Sequence, residues 1–316
     1  MNSLIVSSSP HLTGNASTRR IMLDVIIALA PACVASIVIF GPICAAIITL
    51  SVISAVVSEY ICRRAMKRDN TIGDLSAAVT GMLLALNLPA IPASLWMAPL
   101  GSAIAITVVK QLFGGIGSNF ANPAITGRIV LMMSFAGYMA SWPEPLAWLG
   151  NGSDAVAHAT PLANGANMPN ISEMLLGLRG GCLGETCAVA ITVGFCYLCA
   201  RRVISPLIPT VFCGSAVLGC WLFSGLTANP LEVLLSGGLL FGSVFMATDY
   251  TTSPITKGGK AVFAIGCGLI TALIREFGNL PEGVSFAILI MNILTPHIDT
   301  VFTSRPVGAR KLKEAE

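Results

Sequence analysis

What most constrains this chain is a recurring run of apolar residues about as long as a bilayer core is thick. A helix needs roughly 20 such residues to cross the hydrocarbon, where no water is present to satisfy an unpaired backbone N–H or C=O. Runs of this kind fall near Ile21 to Phe40, Ile43 to Ile61, Ile72 to Leu88, Ser94 to Phe113 and Asn122 to Ala140. After one long interruption they resume near Leu183 to Ala200, Leu207 to Ser224, Leu231 to Ala247, Lys260 to Phe277 and Gly283 to Asp299. Charged residues make up only 10% of the 316 positions, against about 25% in soluble domains. The expectation is an all-α integral membrane protein of about ten transmembrane helices in two five-helix halves.

The organisation that follows is a segment 1–20, a first half 21–140, a loop 141–182, a second half 183–299 and a basic tail 300–316. Cytoplasmic loops are enriched in Lys and Arg. Alternating the runs across the membrane puts all but Arg179 and Arg275 of the 18 basic residues on one side, so both termini are expected in the cytoplasm and the 141–182 loop outside it. Trp96, Trp142, Trp148 and Trp221 fall at or beyond the outer ends of runs, as an interfacial belt requires. The polar start runs into a full-length first helix without a small-residue cleavage site, so no cleavable signal is expected. Most of the ten cysteines lie inside apolar runs, where Cys behaves as a small apolar residue rather than as part of a disulfide framework.

Five helices per half would make any internal repeat an inverted one. A short echo supports it: Val109-Lys110-Gln111-Leu112-Phe113-Gly114, at the inner end of the fourth run, resembles Ile274-Arg275-Glu276-Phe277-Gly278, at the outer end of the ninth.

Acidic groups in or beside the membrane are functional candidates, because an ionisable side chain there is costly. Glu59, Asp74 and Asp299 sit at inner ends, where a solvated or capping role is expected. Asp24 lies one turn into the first helix and Asp249 closes an apolar run, and these two are the candidates for ion coupling. The stretch Gly114 to Pro123 lacks the Lys-Ser/Thr of a phosphate loop, but its glycines and asparagines suit an irregular backbone at a helix break. Cys196 and Cys199 read as a buried structural pair, and no metal site is expected at His158.

In order and spacing, several segments resemble the D subunit of the Rnf electron-transport complex, a family related to the B subunit of the sodium-pumping NADH:quinone reductase. They are Ser9-Pro10-His11, Ala28-Leu29-Ala30-Pro31, Lys110-Gln111 with the Gly114 to Ala124 loop, Met246-Ala247-Thr248-Asp249, Arg275-Glu276-Phe277-Gly278, Pro281-Glu282-Gly283-Val284 and Met291-Asn292. In that family an FMN is joined through its phosphate to a threonine in a motif resembling Asp-Gly-x-Ser/Thr-Ser/Gly-Ala-Thr. The resemblance implies covalent FMN on Thr160, with Asp154 and Ala159 matching the motif and Ala155, Ala157 and His158 departing from it. It also implies a non-covalent riboflavin within the bundle, to whose vicinity Asn119 and Asn122 are assigned.

The function implied is a membrane subunit, inert alone, of a machine that passes electrons between ferredoxin and NAD while moving sodium ions or protons across a bacterial or archaeal cytoplasmic membrane. Ferredoxin and NAD would act through other subunits, and a flavin-attaching enzyme would load Thr160. A second reading stays open on topology alone: a secondary transporter or channel for a small solute, which would have no need of a flavin at Thr160.

Overall fold

The computed structural model describes residues 17–150, 170–227, 229–278 and 283–303. Among these residues the regular structure is helical. Four helices are long and apolar enough to cross a membrane: α1 (Thr18–Phe40), α2 (Ile43–Ala65), α12 (Lys257–Phe277) and α13 (Val284–Val301). Between them come α3 (Ser76–Leu86), α4 (Ser94–Ile104), α5 (Pro123–Ser134), the short α6 (Ala136–Met139) and α7 (Ile171–Leu176), α8 (Ala188–Ala200), α9 (Leu207–Phe223), α10 (Pro230–Leu235) and α11 (Leu239–Phe241).

Local chemistry sets the ends of these elements. Ser17 caps α1, its Oγ accepting from Arg20 N at 3.3 Å. Gly41 ends it at φ +89°, a conformation only glycine adopts without strain. Asn122 caps α5 and Pro123 follows at its first turn, where the missing N–H costs nothing.

The internal helices are less regular than the apolar runs that predict them. The run Ile72 to Leu88 divides into a 3-10 turn at Ile72–Asp74 and the 11-residue α3, joined through Leu75 at φ +64°. Pro89 and Pro92 stop α3 from continuing. The run Ser94 to Phe113 is α4 followed by a seven-residue π-helical stretch, Ala105–Gln111. The run Leu231 to Ala247 is broken at Gly237 and Gly238 into α10 and α11, and α11 ends in a second π-helical stretch, Gly242–Met246. Residues 183–187, read as the start of a helix, lie before α8. Such breaks are tolerated because in a multi-helix core neighbouring segments can satisfy the backbone groups that a break sets free. Leu183 N and Gly184 N illustrate it, donating to Leu88 O at 3.0 Å, just past α3, and to Leu86 O at 2.7 Å, on its last residue.

Helix pairs approach closely where one partner is small. A Cβ on Gly268 of α12 would collide with Ser215 Oγ of α9, and one on Gly81 of α3 would lie 2.9 Å from Ser51 O of α2. Trp96, Trp148 and Trp221 are exposed, as a belt requires, whereas Trp142 is buried at 6% exposure and belongs to the core. Cys196 is exposed and Cys199 half-buried, so these two are not the buried pair that their place in an apolar run suggests.

Candidate functional site

A cavity of about 250 Å³ opens between the start of α1, α3, the end of α8 and the segment after the second π stretch. Its wall is mainly apolar and includes Val79, Leu83, Leu198, Val244 and Phe245. Lys110, Asn119, Asn122, Thr248 and Asp249 supply polar groups. Such a wall, with few convergent polar groups, is characteristic of small-molecule sites, and the volume falls just below their usual range of about 300–1,000 Å³. Three residues singled out in the sequence thus meet at one place: Asn119, Asn122 and Asp249.

Their roles differ. Asn122 Oδ1 is engaged by the α5 cap, accepting from Ala124 N at 3.0 Å and Ile125 N at 3.3 Å, and Asn122 Nδ2 donates to Met246 O at 3.2 Å. Asn122 therefore ties α5 to the second π stretch. Asn119 Oδ1 is a buried atom with no hydrogen-bond partner among the described residues, and so is the better placed of the two to meet a ligand. Asp249 accepts from Thr251 Oγ1 at 3.0 Å, Thr252 Oγ1 at 3.3 Å and Thr251 N at 3.3 Å. Burial pushes its carboxyl above the ordinary range, and these bonds oppose the rise. Asp24, itself buried, lies apart from the cavity wall, accepting from Tyr197 Oη at 3.0 Å and from Arg201 Nε and Nη2 at 3.3 Å.

The strongest electrostatic feature was not legible as such. Lys110, a cytoplasmic-side charge by position in the sequence, is 2% exposed on the first π stretch. Its Nζ donates to Glu59 Oε2 at 3.0 Å and to Ser76 Oγ at 2.5 Å. Glu59, expected to be solvated, is fully buried, with Gln111 Nε2 and Thr71 Oγ1 each 2.9 Å from its Oε1. Asp74 Oδ1, one residue before the α3 N-cap Leu75, accepts from Ser76 N at 2.8 Å and Ser76 Oγ at 2.6 Å, and Asp299 Oδ1 accepts from Ile255 N at 3.1 Å. Lys110 and Gln111 both lie in the π stretch, where they face Glu59 of α2 together and Lys110 also borders the cavity. The available signal was a lysine inside an apolar run.

A second buried cluster corrects Arg128 in the same way. Arg128 is 3% exposed and donates through Nη1 to Asn87 Oδ1 at 2.6 Å and Glu185 Oε1 at 2.9 Å. Arg179 Nη2 reaches Glu185 O at 3.0 Å, and burial, opposed by Glu185 and aided by Arg275, lowers the Arg179 guanidinium to about 10. Thr160 lies outside the described residues.

Comparison with known proteins adds what the geometry alone does not carry. Residues 5–308 match the model of the NQR2, RnfD, RnfE family. The chain is 43% identical to the D subunit of the Na(+)-translocating ferredoxin:NAD(+) oxidoreductase complex of Acetobacterium woodii, over 98% of this chain and 97% of that one. It is 38% identical to the D subunit of the proton-translocating ferredoxin:NAD(+) oxidoreductase complex of Clostridium ljungdahlii, over 98% of both. With the D subunit of the ion-translocating oxidoreductase complex of Stutzerimonas stutzeri it shares 37% identity over 92% of both.

Proposed function

The chain belongs to the NQR2, RnfD, RnfE family, and on that premise we propose that it is the flavin-carrying membrane subunit of a ferredoxin:NAD oxidoreductase complex that translocates sodium ions or protons. Relatives of similar identity are named for different ions, so the family leaves the choice of ion open. Ferredoxin and NAD act through other subunits, and a flavin-attaching enzyme loads Thr160 with FMN in the extracytoplasmic loop, both termini being cytoplasmic.

The observation that carries the reading is the cavity, whose apolar walls suit a flat ring system and whose Asn119 Oδ1 is an unused buried acceptor. A riboflavin there would be met by Asn119 and by the Lys110 side chain. A flavin accepts two electrons and releases them singly, while the protein's part is to hold and tune it. Asn122 positions the wall, Lys110 brings a cation held by Glu59 and Ser76, and Asp249 and Asp24 are the ion-coupling candidates.

We further propose ten membrane segments in two inverted five-helix halves. Equivalent contacts support this: Ser54 Oγ donates to Pro99 O at 2.7 Å, and Ser215 Oγ to Ala264 O at 3.3 Å. A Cβ on Gly101 would meet Leu131, and one on Gly266 would meet Met291. Lys110 reaches Ser76 Oγ at the start of α3, and Arg275 reaches Ser236 O at 3.0 Å after α10. One offset relates Pro99 to Ala264, Gly101 to Gly266 and Lys110 to Arg275, extending the echo seen in the sequence.

The test is to co-express the chain with its flavin-attaching enzyme and examine flavin fluorescence on a denaturing gel for the wild type and Thr160→Ala. Fluorescence that survives denaturation only in the wild type supports covalent attachment at Thr160. Its absence from the wild type, with a control substrate labelled, turns attention to the solute-transporter reading.

A further inference from the structure

The cavity lining combines polar groups, Lys110, Asn119 and Asp249, with apolar side chains that include Leu83, Val244 and Phe245. Packing behind Phe245 is tight between α1 and α8, since a Cβ on Gly194 would strike Ala28 O and stand 2.8 Å from Phe245 Cζ. Asn87 follows four residues beyond Leu83, donating through Nδ2 to Leu83 O at 2.6 Å and to Met246 Sδ at 3.6 Å. It thereby bridges the ends of α3 and of the second π stretch, and its Oδ1 accepts from Arg128 Nη1 at 2.6 Å.

A guanidinium therefore lies one side chain behind the cavity-lining Leu83, where α3 and the second π stretch end. Its partner Glu185 is packed over Gly238, where a Cβ would lie 2.5 Å from Oε1. A second guanidinium, Arg179, is 6% exposed and has Nε and Nη1 buried without a partner among the described residues. Among the described residues two buried guanidinium groups thus gather at one glutamate, Arg128 on the Glu185 carboxylate and Arg179 on its main-chain oxygen. Repulsion between like charges strengthens as the local dielectric falls, and an arginine at a constriction is an effective barrier to cations and protons.

We propose that Arg128 is the electrostatic closure of this protein, keeping sodium ions and protons that reach the cavity from leaking through the bundle to the opposite side. This rests on the reading of the chain as part of an ion-translocating complex, because a tight barrier matters only where a gradient is built. Arginine suits the position better than lysine, since its planar fork holds Asn87, Glu185 and Cys182 Sγ at once while the charge stays fixed.

The test uses the whole complex in sealed vesicles without electron donor. Passive influx of sodium ions and of protons is read by entrapped dyes for the wild type, Arg128→Met, Arg128→Lys and Glu185→Gln. Arg128→Met is expected to raise the leak of at least one cation by roughly 10- to 100-fold, the scale on which a single charge controls ion occupancy in a low-dielectric cleft. Arg128→Lys and Glu185→Gln, which keep the positive charge, should remain tight. If Arg128→Met does not assemble, Arg128→Met/Glu185→Gln removes the pair without stranding a buried carboxylate and makes the same comparison. A tight Arg128→Met, or the paired variant in its place, overturns the proposal. So does equal leakage from Glu185→Gln, because loosened packing would then be the cause. Ferredoxin-driven NAD reduction in the wild-type vesicles separately tests the functional reading: its absence would sink that reading and leave the leak comparison interpretable.

Discussion

Lys110–Glu59 and Arg128–Glu185 are both buried ion pairs held near 3 Å, at 3.0 Å and 2.9 Å, yet their surroundings differ. The first borders the cavity and is embedded in short polar groups: Ser76, Gln111 and Thr71 all bond to it. The second is sealed among Asn87, Cys182 and the loop that closes the end of α3. The contrast teaches that burial alone does not define a role. A pair beside a cavity can exchange partners with whatever enters, whereas a sealed pair can only fix structure and potential.

The largest expected effect lies at the sealed pair. Removing one partner of a buried ion pair costs about 3–5 kcal/mol, so Glu185→Ala should strongly lower the unfolding midpoint of the detergent-solubilised complex. Lys110→Met should cost less, because Gln111 and Thr71 still satisfy Glu59. Equal losses at the two sites, followed by thermal unfolding, would erase the distinction.

A smaller effect separates the two asparagines. Asn122→Ala removes a helix cap, worth about 0.5–2 kcal/mol, and should appear chiefly in stability. Asn119→Ala should leave stability within about 0.5 kcal/mol, as substitutions away from a structural contact do, and weaken retention of non-covalent flavin measured after gel filtration. The reverse pattern would assign Asn122 to the ligand.

The smallest effect is at Asp249. Burial holds its carboxyl above the ordinary range, so folding favours the protonated form. Its contribution to stability is complete below the unfolded pKa of about 4 and is lost as pH rises through the higher folded value. Unfolding followed from about pH 4 to about pH 7 should therefore show a decline in the wild type that is flatter in Asp249→Asn. An unchanged slope would mean that Thr251 and Thr252 fully offset the cost of burial.

These contrasts show where sequence reading reaches and where it stops. The glycine-rich Gly114 to Pro123 stretch was legible as irregular backbone at a helix break, and Gly114, Gly115 and Gly117 adopt φ of +122°, +104° and +93°. Asp249, singled out by its charge, meets Asn119 and Asn122, assigned through the resemblance, at the cavity. Lys110 and Arg128 count as loop-side charges in the sequence yet are buried, because nothing in a linear sequence shows a side chain turned inward. Glu59 and Glu185 became visible only with their partners, which lie 51 and 57 residues away along the chain.

By itself, the sequence determined the class of environment, because apolar runs with so few charges are stable only where their surface meets lipid or one another. It also determined the family, through segments whose order survives without any coordinates. Only the tertiary structure decided which helices are incomplete, which charges are buried and which segments line the cavity. Those outcomes depend on contacts between distant segments: a broken helix is tolerated when another segment satisfies its free carbonyls, and a buried charge when another element supplies its counter-charge.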